Sequence, residues 1–314
     1  MQNVLQTRWR IDCEKRRSPR GNIDVHRLLG DWFDDAEWRR DLSRIPSRQR
    51  RVMLSEIGRD MFVDNIGNYA KELRWNMELV DWVWTDEQRR SLALDHARLL
   101  FASLSDSIDF ASRTFPQTEL DVSGAEHVLD PSETGRGVIL VSVFQTHPGY
   151  AFVSPPLRDR KIGVIRKAPG GSASLTLDGL PKSVAELPAS TAAVRPLLKL
   201  LNEGSVTAAY CDYIYEGSGT IEAPMFGAWV SVSRSLLKIA RQTNAAIVPM
   251  AVARDLDLSK ELVRVEFFPD LTDGDSRRFQ LSDLSFRLGI ALECLIRRYP
   301  VQWRLWNTLR DRLN

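Results

Sequence analysis

The chain has 314 residues, 43% hydrophobic and 27% charged, which is enough apolar content to bury a core and too much for a disordered polymer. Its 43 Lys+Arg nearly cancel its 41 Asp+Glu, and the net charge of +2 excludes the chain-wide basic surface of a nucleic-acid packaging protein. Three scattered cysteines, Cys13, Cys211 and Cys294, exclude a disulfide framework and a Cys-x-x-Cys metal site.

Residues 1–21 are basic and end in RRSPRG, where Pro19 and Gly21 oppose regular structure, so they read as a frayed arm. No apolar h-region of a secretory signal follows. The longest apolar run, residues 245–253, is broken by Pro249 and falls far short of the ~20 residues that cross a bilayer. A cytoplasmic location is expected.

From residue 22 to 115 the period is helical: Trp32, Phe33, Trp38 and Leu42, then Met53, Ile57, Met61, Phe62, Ile66 and Tyr69 recur at three-to-four spacing. Thr85-Asp86-Glu87-Gln88 announces another helix, a cap followed by acidic residues, and residues 116–122 end it. Residues 22–128 are therefore read as an all-α subdomain. Beyond the turn-like DPSETG at 130–135 the period changes. Short β-branched runs at 138–143, 162–165, 206–211, 245–253 and 262–268 alternate with helical patterns at 192–202 and 233–243, and a last helix over 281–298 precedes Pro300. The expectation for 129–314 is an α/β domain, a mainly parallel central sheet flanked by helices.

Among four histidines, His147 alone directly follows a buried-strand pattern, in LVSVFQTHPGYAF, and open α/β sheets place their chemistry in loops after strand carboxyl ends. A neutral imidazole there could take a proton from an amine or hydroxyl attacking an ester or thioester; a capping or packing role is the alternative. Arg166 and Lys167 sit at another strand end, before APGGSAS, whose backbone amides suit an anion; a solvated basic loop is the alternative. Arg234 and Arg254 are weaker candidates of the same kind. A nucleophilic Cys211 is set aside, because a cysteine inside an apolar strand is usually a small buried hydrophobe. Most of the nine tryptophans read as core, while Trp229, close to Phe226 and Gly227, could line an acyl tunnel.

These blocks carry a resemblance. GVILVSV with His147-Pro-Gly149 resembles the strand and histidine loop of the lipid A biosynthesis lauroyl/myristoyl acyltransferases, a branch of the lysophospholipid acyltransferase superfamily. VIR at 164–166, LLNEGSVTAAYCD at 200–212, PMFG at 224–227, LKIARQTNAAIVP at 237–249 and the closing PVQWRLW at 300–306 are similar to further family segments, in family order. The resemblance spans roughly residues 120–312 and implies an acyl transfer with His147 as general base and backbone amides near Gly149 holding the oxyanion. The donor would be a phosphopantetheine thioester, on an acyl carrier protein or coenzyme A, whose phosphate Arg166, Lys167, Arg234 and Arg254 could grip; no resident cofactor or metal is called for. Phe152, Phe226, Gly227 and Trp229 would bound the acyl pocket.

Two departures stand out. The family pairs its histidine with a carboxylate five positions on, where this chain has Phe152, so the histidine loses its orienting partner unless Asp212 or Glu216 replaces it. The family's usual membrane-inserted helix is also missing, which turns the expectation to a soluble enzyme acting on a small amine or alcohol, with no nucleic-acid partner. Arg8-Trp9-Arg10 and Trp38-Arg39-Arg40 leave a weak contact with an anionic membrane surface open, and with it a membrane-peripheral lipid acyltransferase. The remaining alternative is a catalytically inactive relative that binds acyl chains or a carrier protein.

Overall fold

The computed structural model describes residues 2–15, 24–80, 84–112, 118–166, 183–188, 190–212 and 219–311. Its first part is helical: α1 (Gln2–Lys15), α2 (Val25–Asp34), α3 (Ala36–Ser43), α4 (Ser47–Val63), α5 (Tyr69–Met77) and α6 (Asp86–Ala111). The expected frayed arm is instead, over residues 2–15, helix α1. It buries Trp9 and Cys13 on the helical core, so apolar contact outweighs the local charge. Trp32 stacks on Trp38 at 4.7 Å in the same core. α6 begins where its cap was read: Thr85 Oγ1 accepts from the Gln88 N–H and the Gln88 side chain accepts from the Thr85 N–H.

The second part alternates: β1 (Glu119–Ser123), α7 (Glu126–Glu133), β2 (Val138–Ser142), α8 (Gly149–Phe152), β3 (Ile162–Arg166), β4 (Val184–Pro188), α9 (Val194–Asn202), β5 (Val206–Tyr210), β6 (Thr220–Met225), β7 (Ala228–Ser233), α10 (Arg234–Thr243), β8 (Ala246–Arg254), β9 (Leu262–Phe267) and α11 (Leu281–Arg298). Seven strands form one sheet in the order β1-β9-β8-β2-β5-β3-β4, parallel throughout except for the antiparallel β8–β9 pair. β2 is buried at every position, as its unbroken apolar run requires of a central strand covered on both faces.

Several local expectations differ from what forms. The segment read as a helix terminator contains β1, an edge strand in which burial alternates, so the sheet begins ahead of residue 129. The DPSETG turn lies largely inside α7, which accommodates Pro131 within its short span. β6 and β7 make a separate antiparallel hairpin whose two-residue turn, Phe226 and Gly227, has φ of 58° and 74°; positive φ at both positions marks the turn that matches strand twist. The hairpin packs on α11.

Candidate active site

The sheet order reverses at β2: β3 and β5 lie to one side and β8 to the other. In such sheets the crevice at the strand carboxyl ends is the preferred ligand position. β2 and β5 run parallel with Ser142 opposite Tyr210, so the His147 loop and Asp212 leave neighbouring strands at the same sheet edge.

The closing PVQWRLW segment clamps that loop. Asp212 Oδ2 accepts from the Phe144 N–H and from Trp303 Nε1–H, both at 2.8 Å, and the Arg304 N–H donates to the Phe144 carbonyl at 2.7 Å. Thr146 Oγ1 donates to Gln302 Oε1 at 2.6 Å, while Gln302 Nε2 donates to the Arg254 carbonyl at 2.9 Å. Asp212, expected to replace the family carboxylate, thus commits one oxygen to anchoring the loop. Arg304 is buried, its guanidinium 5.2 Å from the Phe144 ring centre, and burial pushes its pKa down to about 10.

His147 itself has no exposed surface. Its ring lies flat against Phe110 of α6, with centroids 4.1 Å apart and 8° between planes. Nδ1 accepts a hydrogen bond from the Gly149 N–H at 3.1 Å. A neutral imidazole has one N–H, so an acceptor at Nδ1 places the proton on Nε2. The Gly149 amide, expected near an oxyanion, is therefore engaged with the histidine. Glycine is required here: a Cβ would sit 2.6 Å from Phe110 Cε1 and 2.8 Å from His147 Nδ1.

A buried charge cluster fixes the other end of the loop. The Tyr150 ring meets Phe110 edge-on at 5.0 Å, and its hydroxyl donates to Asp106 Oδ1 at 3.0 Å while accepting from Arg254 Nη2 at 2.6 Å. Arg254 also donates to both Asp106 oxygens, at 2.7 and 3.3 Å, and Arg51 Nη2 reaches Oδ1 at 3.4 Å. Arg51 in turn grips both oxygens of Glu261, at 3.0 and 2.9 Å. Burial alone would raise the Asp106 pKa; Arg254 and Arg51, with hydrogen bonds from Arg254 and Tyr150, outweigh it and hold the carboxyl below its usual range. Burial opposes the Arg254 charge as well, and Asp106 more than restores it.

The other expected residues scatter. Arg254, read as a phosphate ligand, is paired inside this cluster, and Arg234 is exposed at the start of α10. Arg166 ends β3, its side chain outside the described residues, as are Lys167 and Glu216 altogether. Phe152 packs in one apolar cluster with Phe110 and Tyr150, whereas Phe226 belongs to another, 5.5 Å from Trp303 and 6.3 Å from Trp306. Trp229 is 52% exposed. Of the four residues expected to bound an acyl pocket, Phe226, Gly227 and Trp229 thus lie together on the β6–β7 hairpin, and Phe152 belongs to a different apolar cluster. Among the described residues no His/Cys/Asp/Glu group could hold a metal ion, and no helix is long and apolar enough to cross a membrane.

Sequence reasoning missed Asp106, Phe110 and Tyr150. Asp106 carried a signal, since α6 buries Ser103, Ser105, Asp106, Ser107 and Asp109 where a helix on an apolar core would place hydrophobes.

A search of curated proteins finds no match. The family model described as bacterial lipid A biosynthesis acyltransferase matches residues 22–308, nearly the whole chain and both of its parts. That match supports acyltransferase activity in general. On this fold, on the histidine loop at the carboxyl edge of its central strand and on the extent of the match, the chain belongs to the bacterial lipid A biosynthesis acyltransferase family.

Proposed function

We propose that the protein transfers an acyl group from a phosphopantetheine thioester, borne by an acyl carrier protein or coenzyme A, to an amine or hydroxyl acceptor. The acceptor in this reading is a small molecule, the protein works as a soluble cytoplasmic enzyme, and no resident cofactor takes part. The observation that carries the reading is the His147 loop. Asp212, Gln302, Trp303 and Arg304 hold one end and the Tyr150–Asp106–Arg254 cluster holds the other, so that one imidazole is fixed at the carboxyl edge of β2. Holding a reacting group in one geometry is a large share of catalysis. A thioester reaches His147 only when the packing over the ring opens, since the side chain has no exposed surface.

The second reading is a relative that binds acyl chains or carrier protein without turnover. Two observations favour it: Phe152 is an apolar core residue where the resemblance calls for a carboxylate, and His147 is fully buried.

The test is incubation of the purified protein with acetyl, octanoyl and palmitoyl thioesters of coenzyme A and of acyl carrier protein, plus pooled amines and alcohols, followed by mass spectrometry. Acylated acceptor with stoichiometric thiol release supports transfer. Carrier-protein binding without any product contradicts it and supports the binding relative.

A further inference from the structure

We infer that the exposed face of α9 and α10 docks the acidic surface of an acyl carrier protein, which presents its thioester to the His147 loop from that side. The inference names the partner of the proposed transfer and rests on the carrier-protein donor of that reading.

α9 and α10 pack side by side. Each buries one apolar side, with Leu197 and Leu201 in α9 and Leu236 and Ile239 in α10, and turns the other to solvent. The outer sides carry Arg195 and Lys199 on α9 and Arg234 and Lys238 on α10, at the i, i+4 spacing that stacks side chains one turn apart, with half-buried Arg241 beyond them. Glu203, 4.0 Å from Lys199, is the one carboxylate on or directly after either helix. Among the described residues Arg195, Arg234 and Lys238 have no acidic partner. Five cations against one carboxylate give this face a charge of +4, whereas the whole chain carries +2, so the remainder is net negative.

The face adjoins the candidate site. β5 and β8 run parallel to β2, and α9 and α10 each lead into one of them through a short connection, 203–205 and 244–245. Both helices therefore run back against the strands and begin at the sheet edge where the His147 loop leaves β2, with Arg195 and Arg234 nearest that edge. The cations stand on the outer sides of two helices, whose axes in ordinary packing lie about 8–10 Å apart, and so fit a broad anionic surface better than a single phosphate. Unpaired charges of one sign steer such a partner and set its orientation. A lipid surface is the other broad anion, but it draws in large apolar side chains. Neither helix exposes one, while Trp229, Phe286 and Ile290 are exposed on other elements. A carrier protein supplies the acidic surface and the thioester together.

Biolayer interferometry of the full-length protein with octanoyl acyl carrier protein, at about 0.05 M and 0.5 M salt, tests this. Wild type is compared with Lys199→Glu/Lys238→Glu and with Lys71→Glu/Arg90→Glu, an equal charge change at exposed positions of α5 and α6. The expected results are binding by wild type that weakens with salt, a loss of affinity of ~10-fold or more in the α9–α10 variant, and less than ~2-fold in the control. No binding by wild type, no loss in the α9–α10 variant, or equal losses in the two variants would each overturn the proposal. If the α9–α10 variant instead loses co-sedimentation with phosphatidylglycerol vesicles and keeps the carrier protein, the face is a lipid surface and the proposal fails. Steady-state rates with octanoyl carrier protein separate docking from chemistry: the α9–α10 variant should raise KM about tenfold and keep kcat, as for a charge that acts on encounter, and a fall in kcat at unchanged KM would contradict docking. If wild type binds the carrier protein as expected yet turns over no thioester, acyl transfer fails while the docking face stands.

Discussion

Replacing Asp106 by Asn keeps the shape of the side chain and removes only its charge, leaving Arg254 and Arg51 buried without the anion between them. Unit charges ~4 Å apart attract by about 4 kcal/mol at an effective dielectric of ~20. Asp106 faces two such partners, with closest N···O distances of 2.7 and 3.4 Å. Part of that attraction offsets the desolvation of the groups, and removing one partner of a buried pair costs roughly 3–5 kcal/mol net. Arg51 retains Glu261, which puts the expected loss at the lower end, about 3 kcal/mol. With ~2.1 cal/mol/K of unfolding entropy per residue, a chain of 314 residues shifts by roughly 1.5 °C per kcal/mol, so the melting temperature should fall by about 4–5 °C. Differential scanning fluorimetry of Asp106→Asn reads this directly. The double variant Asp106→Leu with Arg254→Met, in which no charge of that pair is left unpaired, should lie closer to wild type than the single change. A drop below about 2 °C in Asp106→Asn would refute the idea that this cluster ties the helices to the histidine loop.

Asp106 also makes acid stability a test. Its carboxyl is held below the unfolded value of ~3.9, so its contribution is present above that pH and is lost as pH falls through the depressed value. Urea stability measured below about pH 4 should therefore fall less steeply in Asp106→Asn than in wild type. Gly149→Ala should destabilise by ~1–3 kcal/mol, since its methyl meets Phe110 and the His147 ring, and equilibrium urea unfolding checks it. Gly227→Ala meets nothing within 4 Å, so it should cost only the left-handed backbone strain, ~1–2 kcal/mol; a loss above ~3 kcal/mol would contradict that view of the turn. Native alkylation with iodoacetamide, mapped by peptide mass spectrometry, should label exposed Cys294 and spare Cys13 and Cys211. Burial first, and then Asp212, keep the native Cys211 thiol protonated, and unfolding removes both causes, so all three should react in urea.

What was legible in the sequence followed from period and caps. The short β-branched runs became β2, β3, β5, β8 and β9, and the Thr85 capping box and the 281–298 helix formed where they were read. Elements stabilised by distant partners were not legible. β1 exists because β9 offers it a hydrogen-bonded edge, and α1 because Trp9 and Cys13 find a core, neither of which local propensity encodes. The site shows the same division. His147 was visible because it follows a strand, but the bond from Gly149 that sets its tautomer is a matter of geometry. The roles of Gln302 and Trp303 depend on a C-terminal segment returning to Thr146 and Asp212, 156 and 91 residues earlier, contacts no spacing rule reports. Asp212 was noticed as a carboxylate at a strand end, whereas its bonds to Phe144 and Trp303 give it a structural task.

The most direct test of the functional reading is the rate of acylated-amine formation from an acyl carrier protein thioester, in wild type and in His147→Ala, with circular dichroism confirming that both are folded. Transfer by wild type that falls about 100-fold or more in the variant is the predicted result. Equal rates in the two folded proteins, or no transfer by wild type from any thioester in the panel, would contradict it.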